Sequence, residues 1–210
     1  MTITSREQLR SHYAQPGERA LRKQMARLDG HAQRFISLAP FCALATAGRE
    51  GALLDVSPRG GTPGFVKALD AGTLLLPDSG GNNRLDSLEN LLDDPRIALL
   101  FMIPGVDETL RVNGLALLRD EPVYLDRFTD ERQRPKLVIE VAVKEAYLHC
   151  AKAFMRSQLW DPESWGPRSA LPSMNQMIHD QIGAGAVTES QAEMLARYEA
   201  QLASERTPDA

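Results

Sequence analysis

The chain has 210 residues, 43% of them hydrophobic and 25% charged, which is ordinary for a globular protein with one sizeable core. With 28 acidic against 24 basic residues its formal net charge is -4, so no bulk field draws it to nucleic acid or anionic lipid. No apolar run approaches the roughly 20 residues that cross a bilayer, and the start MTITSREQLR offers no apolar segment for a secretory signal; no membrane partner and a cytoplasmic location are expected.

Charges and the apolar positions Leu9, Leu21, Met25 and Leu28 predict helix over 5–28, interrupted where Pro16-Gly17 favours a turn. A short helix over 34–38 ends before Pro40. FCALATA at 41–47 and ALLDVS at 52–57 read as a hairpin, followed by an irregular loop, SPRGGTPG, at 57–64. GTLLLP at 72–77 predicts a strand and DSGGNNR at 78–84 a loop, and leucines 85, 88, 91 and 92 then recur at helix spacing up to Pro95.

RIALLFMIP at 96–104 and TLRVNGLALL at 109–118 predict two antiparallel strands joined by a turn at 106–108. Tyr124, Leu125 and Phe128 suggest a short helix, and the β-branched KLVIEVAV at 136–143 a sixth strand. From Lys144 to Trp160 the spacing reads as one long helix, and a terminal helix runs from about Glu189 to Ser204 before a fraying SERTPDA tail. Short strands interrupted by helices, without regular alternation, argue for a mainly β fold with helical additions, built as a small closed barrel. The expected division is a helical extension over 1–30, the barrel domain with its C-terminal helices over 31–185, and a terminal helix and tail over 186–210.

Four stretches carry candidate chemistry. Ser57 and Arg59, two residues apart beside glycines, suit bidentate capture of a phosphate or form a plain turn with a solvated arginine. Asn83 and Arg84 open the helix through Leu92, where backbone amides attract anions and the helix dipole disfavours a cation. Either a phosphate answers Arg84, or Asp86 pairs with it locally and Asn83 caps the helix.

By alternation Thr109, Arg111 and Asn113 share one strand face, which is either solvated or lines a site. Arg156 and Trp160, four apart on the expected long helix, either offer a guanidinium beside an aromatic plane or plug an interface. Cys42 and Cys150 lie far apart and the four histidines form no close pair, so reduced thiols and no metal centre are expected. Nucleotide-loop, zincin and nucleophile-elbow motifs are missing, and Ser57, Ser87 and Ser157 have no sequence-adjacent His-Asp partners. Arginines on separate elements without an acid-base set suit a phosphorylated organic cofactor that brings its own reactivity.

DVSPRGGTPGF at 55–65, LPDSGGNNRLDSLENLL at 76–92, IALLFMIPGVDETLRVNGLALL at 97–118 and HCAKAFMRSQLW at 149–160 together resemble the successive motifs of one subgroup of the pyridoxamine 5'-phosphate oxidase-like superfamily. The resemblance spans roughly residues 30–185. It implies an FMN-binding split β-barrel and a homodimer with two flavin sites at the subunit interface. It implies that Asp55, Ser57 and Arg59, then Pro77, Asp78, Asn83 and Arg84, hold the FMN phosphate and ribityl chain. Thr109 and Arg111 match the strand facing the isoalloxazine, and Arg156 and Trp160 a C-terminal region that closes over flavin or substrate from the partner subunit.

The function so implied is hydride transfer between flavin and a small organic substrate or nicotinamide cofactor. The alternatives are a flavin- or haem-binding module without turnover and an oxidase of pyridoxamine phosphate. This chain departs from the subgroup at Gly61, where Asp is frequent, and at Ser79 and Gly80, where basic residues are common. Arg59 and Arg84 remain to neutralise a phosphate dianion.

Overall fold

A computed structural model describes residues 2–78, 80–129, 133–183, 185 and 189–205. Ser79 and the tail from 206 onward lie outside the described residues. Two five-residue helices, α1 (Arg6–Arg10) and α2 (Glu18–Arg22), flank Pro16-Gly17. The expected helix does not continue to residue 28: Met25 instead exchanges backbone hydrogen bonds of 3.0 and 2.8 Å with Ala146. Helix α3 (Gly30–Leu38) starts four residues before its expected position because the Asp29 side chain caps it, accepting from the Ala32 amide.

Seven strands follow: β1 (Phe41–Ala47), β2 (Leu54–Gly60), β3 (Lys67–Asp70), β4 (Thr73–Pro77), β5 (Arg96–Ile103), β6 (Val106–Arg119) and β7 (Val138–His149). Helix α4 (Asp86–Asp93) lies between β4 and β5, and α5 (Pro122–Leu125) between β6 and β7. After β7 come α6 (Lys152–Ser157), α7 (Met174–Ile182) and α8 (Gln191–Ser204), the last opened by a reciprocal capping box between Ser190 and Glu193.

Every strand pairing is antiparallel, in the order β2-β1-β5-β6-β7-β4-β3. The expectation of a closed barrel is therefore corrected, and with it the split β-barrel: among the described residues the terminal strands β2 and β3 do not pair, and the chain is a mixed α and β fold around an open seven-stranded sheet. Both terminal strands are suited to an edge. Pro58 brings β2 a residue with no N–H to donate, and β3 has four residues and a register shift between Ala68 and Asp70.

One face of the sheet carries the main core, in which Leu44, Leu99, Phe101, Leu110, Val112 and Val141 pack under Ile36 of α3 and Leu88 and Leu91 of α4. Leu75 faces the other way, into a smaller cluster with Leu125, Phe128 and Val138, which is why the three leucines of β4 are buried on both sides. The long helix expected from Lys144 is also corrected. Residues 144–149 continue β7 against β6, with Ala146 buried opposite Val112, and helix begins only at Lys152. Among the described residues no helix is long and apolar enough to cross a membrane.

Candidate functional site: a polar cavity at the edge of the sheet

Ser57 and Arg59, expected in a loop, belong to β2. Cross-strand register sets Asp55, Ser57 and Arg59 opposite Thr46, Leu44 and Cys42, all buried, so this row points to the core side while Leu54, Val56 and Pro58 point away. A polar row beside a hydrophobic core must find partners. Arg59 donates through Nη1 to Asp78 Oδ1 at 3.0 Å and through Nε to Ser57 Oγ at 3.3 Å. Ser87 donates to Asp55 Oδ2 at 2.7 Å. That commits its single proton, so the 3.0 Å contact between the two serine hydroxyls runs from Ser57 to Ser87. A directed chain results, from Arg59 through Ser57 and Ser87 to Asp55.

The facing wall begins where β4 ends. The Asp78 amide donates to Leu137 O at 3.0 Å, tying the strand exit to the segment that enters β7. In the turn that follows, Asn82 Oδ1 accepts the Arg84 amide at 3.0 Å. Asn83 and Leu85 adopt left-handed backbone, at φ 58° and 60°, a strained state for non-glycine residues that concentrates at functional sites. Leu85, not Asn83, occupies the N-cap of α4, and no side chain caps that terminus. Arg84 is not left as an unanswered cation. Its Nε meets Asp86 Oδ2 at 2.8 Å on an exposed surface, and this hydrogen bond holds its pKa above the ordinary arginine value.

Between these walls lies a cavity of about 850 Å³. Asp55, Ser57, Arg59, Pro77, Asp78, Asn83 and Arg84, the phosphate and ribityl set expected from the sequence, all line it. Sequence reasoning missed Ser87, Phe65, Lys136 and Leu202, which line it too. Ser87 carried a signal, because it shares the buried stripe of α4 with Leu88 and Leu91 and is only 3% exposed. Leu202, near the end of α8, had none, since nothing in the chain relates it to β2. Gly61 also has a packing reason: a Cβ there would stand 2.6 Å from Phe65 Cβ, in a side chain buried at the cavity wall, so an aspartate would require Phe65 to shift.

The remaining expected residues are placed elsewhere. Arg111 lies opposite Leu100 and Tyr147, on the sheet face away from the Asp55–Arg59 row. Its guanidinium sits 4.5 Å from the Tyr147 ring centre, and its buried Nε has no hydrogen-bond partner among the described residues. Thr109 is buried in register with His149, whose pKa is pushed below the ordinary histidine value by burial and then by Arg111 and Lys23. Arg156 and Trp160 do not share a helix face, because α6 ends at Ser157 and Gln158 turns left-handed at φ 50°. Trp160 stacks on Phe154 at 5.6 Å and donates its indole N–H to Val106 O at 3.0 Å, a packing role.

No curated protein matches the chain. Among solved structures it is similar to a variant of HupZ from Group A Streptococcus, with 16% identity, 60% of this chain and 100% of that one covered, and a TM-score of 0.48. It is also similar to an FMN-binding protein from Syntrophomonas wolfei, with 13% identity, 57% and 84% covered, and a TM-score of 0.43. The pyridoxamine 5'-phosphate oxidase family profile matches residues 28–150, which take in β1 to β7 and every cavity-lining segment except the end of α8. That match covers more than half of the sequence, and the chain belongs to the pyridoxamine 5'-phosphate oxidase family.

Proposed function

We propose that the cavity binds FMN and that the chain is an FMN-dependent oxidoreductase of the subgroup its four motifs resemble. The observation that carries this reading is the convergence of Asp55, Ser57, Arg59, Pro77, Asp78, Asn83 and Arg84, distant in sequence, on one cavity of about 850 Å³. The residues fit a phosphorylated flavin: β2 offers the Arg59 guanidinium, the uncapped start of α4 offers backbone amides, and Phe65 and Leu88 supply apolar surface for a ring system. Bound there, FMN supplies a hydride-accepting ring that the protein side chains lack. The role of Ser57, Ser87 and Asp55 is to hold the Arg59 stem at the cavity wall while its pairing with Asp78 gives way to an anion.

Leu54 and Val56, 77% and 67% exposed on the outer face of β2, suit the surface to a second copy of the chain. In such a homodimer the strand carrying Thr109 and Arg111 and the segment carrying Arg156 and Trp160 lie against the partner's cavity, with Arg111 and Arg156 turned to the flavin ring and a small-molecule substrate.

Gentle purification followed by a visible spectrum and mass identification of any released ligand tests the assignment. Arg59→Ala combined with Arg84→Ala should sharply lower FMN occupancy. Unchanged occupancy rejects the phosphate site, and a protein that stays colourless after FMN addition rejects flavin binding altogether.

A further inference from the structure

Among the described residues four cations line the cavity: Arg59, Arg84, Arg134 and Lys136. Each arginine already has a carboxylate. Arg59 meets Asp78 at 3.0 Å, Arg84 meets Asp86 at 2.8 Å, and Arg134 meets Asp126 at 2.8 Å. Among the described residues four carboxylates, Asp55, Asp78, Asp86 and Glu205, line the same cavity and balance these four cations. An incoming phosphate that takes Arg59 must first compete with Asp78 for a guanidinium largely shielded from water.

Lys136 is different. Among the described residues it makes no ion pair or hydrogen bond, and the residue is exposed and lines the cavity wall. Its backbone is nonetheless fixed. Pro135 before it is buried, Leu137 after it accepts the Asp78 amide at 3.0 Å, and Val138 pairs with Pro77. An unpaired point charge on an anchored backbone, next to the residue that occupies Arg59, is the cation an anion can engage without breaking an existing pair.

We propose that Lys136 makes the leading ionic contact with the anionic group of the cavity's ligand, a phosphomonoester dianion, and that Arg59 joins only after Asp78 yields. This rests on the flavin-phosphate reading and adds to it a residue from the entrance to β7 that none of the four motifs contains.

The test compares FMN and riboflavin binding to the full chain, its Lys136→Gln and Lys136→Arg variants, and Lys144→Gln as an exposed control. Loss of one charge-assisted hydrogen bond at a solvent-accessible site should raise the FMN Kd roughly ten-fold in Lys136→Gln. Riboflavin binding should not change, FMN binding should lose part of its salt dependence, and Lys136→Arg should restore most of the affinity. If Lys136→Gln binds FMN as the parent does, the Lys136 assignment is overturned while the flavin reading stands. If the parent binds neither flavin, the flavin reading falls, and a titration with inorganic phosphate decides Lys136. Phosphate-dependent amide shifts at Asp78 and Leu137 that vanish in Lys136→Gln sustain the assignment. Shifts that persist in the variant, or none in the parent, overturn it.

Discussion

The ion pair between Arg59 and Asp78 should pull stability and ligand affinity in opposite directions. The two side chains are 20% and 17% exposed and their N···O separation is 3.0 Å, so the attraction is stronger than at an open surface. At an effective dielectric near 20 the Coulomb attraction at this separation is about 5–6 kcal/mol, and desolvation reduces the net coupling to about 1–2 kcal/mol. Arg59→Ala leaves a half-buried carboxylate without its cation and should cost about 2–4 kcal/mol of folding stability. Asp78→Asn leaves Arg59 its bond to Ser57 and should cost about 1–2 kcal/mol.

Urea denaturation of the two single variants and the double variant should show the double costing less than the sum by the coupling energy. FMN titration of the same proteins should show the contrast. Arg59→Ala weakens binding, whereas Asp78→Asn tightens it by roughly ten-fold because the guanidinium no longer answers a carboxylate. An Asp78→Asn protein that binds FMN as poorly as Arg59→Ala would refute the competition between Asp78 and the phosphate, and additive stabilities would refute the coupling.

Gly114 sits at the register shift between β6 and β7, where a Cβ would lie 2.5 Å from Ala142 O and 2.7 Å from Val141 Cγ1. Gly114→Ala must displace backbone and should destabilise by about 2–3 kcal/mol in urea melts; a loss under about 0.5 kcal/mol would mean the strands part easily. The His149 imidazole should titrate below the ordinary 6.5 in NMR spectra and move upward in Arg111→Ala, with burial keeping part of the depression. Because the folded pKa is the lower one, the unfolded chain takes up protons first. The His149 contribution is therefore complete above pH 6.5 and is lost as pH falls from there toward the folded value; a midpoint unmoved by the substitution would separate His149 from Arg111. Burial pushes the Cys42 thiol up to about 12 while Cys150 is exposed, so a thiol reagent should modify one cysteine in the native protein and two after denaturation.

The cavity was legible wherever its residues share a short stretch. The spacing of Asp55, Ser57 and Arg59 is that of one strand face, and their chemistry pointed to an anion even though the stretch containing Pro58 read as a loop. Two prolines and three glycines over 57–64 suppress strand propensity, yet an edge strand tolerates a residue without an N–H, and pairing with β1 overrides local preference. The same override turned residues 144–149 into strand. Alternation over six residues at the end of β7 is too short to distinguish from a helical turn until the partner strand β6 is known. Sheet closure was not legible, because it depends on whether two edges far apart in sequence meet. The pairing states of Arg84 and Lys136 were equally hidden, since they depend on which way each side chain turns.

Strand β2 carries cavity chemistry on one side and bare hydrocarbon on the other, in strict alternation along seven residues. A slip of one position would exchange the two rows, so the same register that aims Arg59 also sets how much oily surface meets water. Whatever stiffens one row stiffens its reverse. If a guest on the inner side and a neighbour on the outer side each favour the same strand geometry, thermodynamic reciprocity requires each to raise the other's affinity by an equal factor.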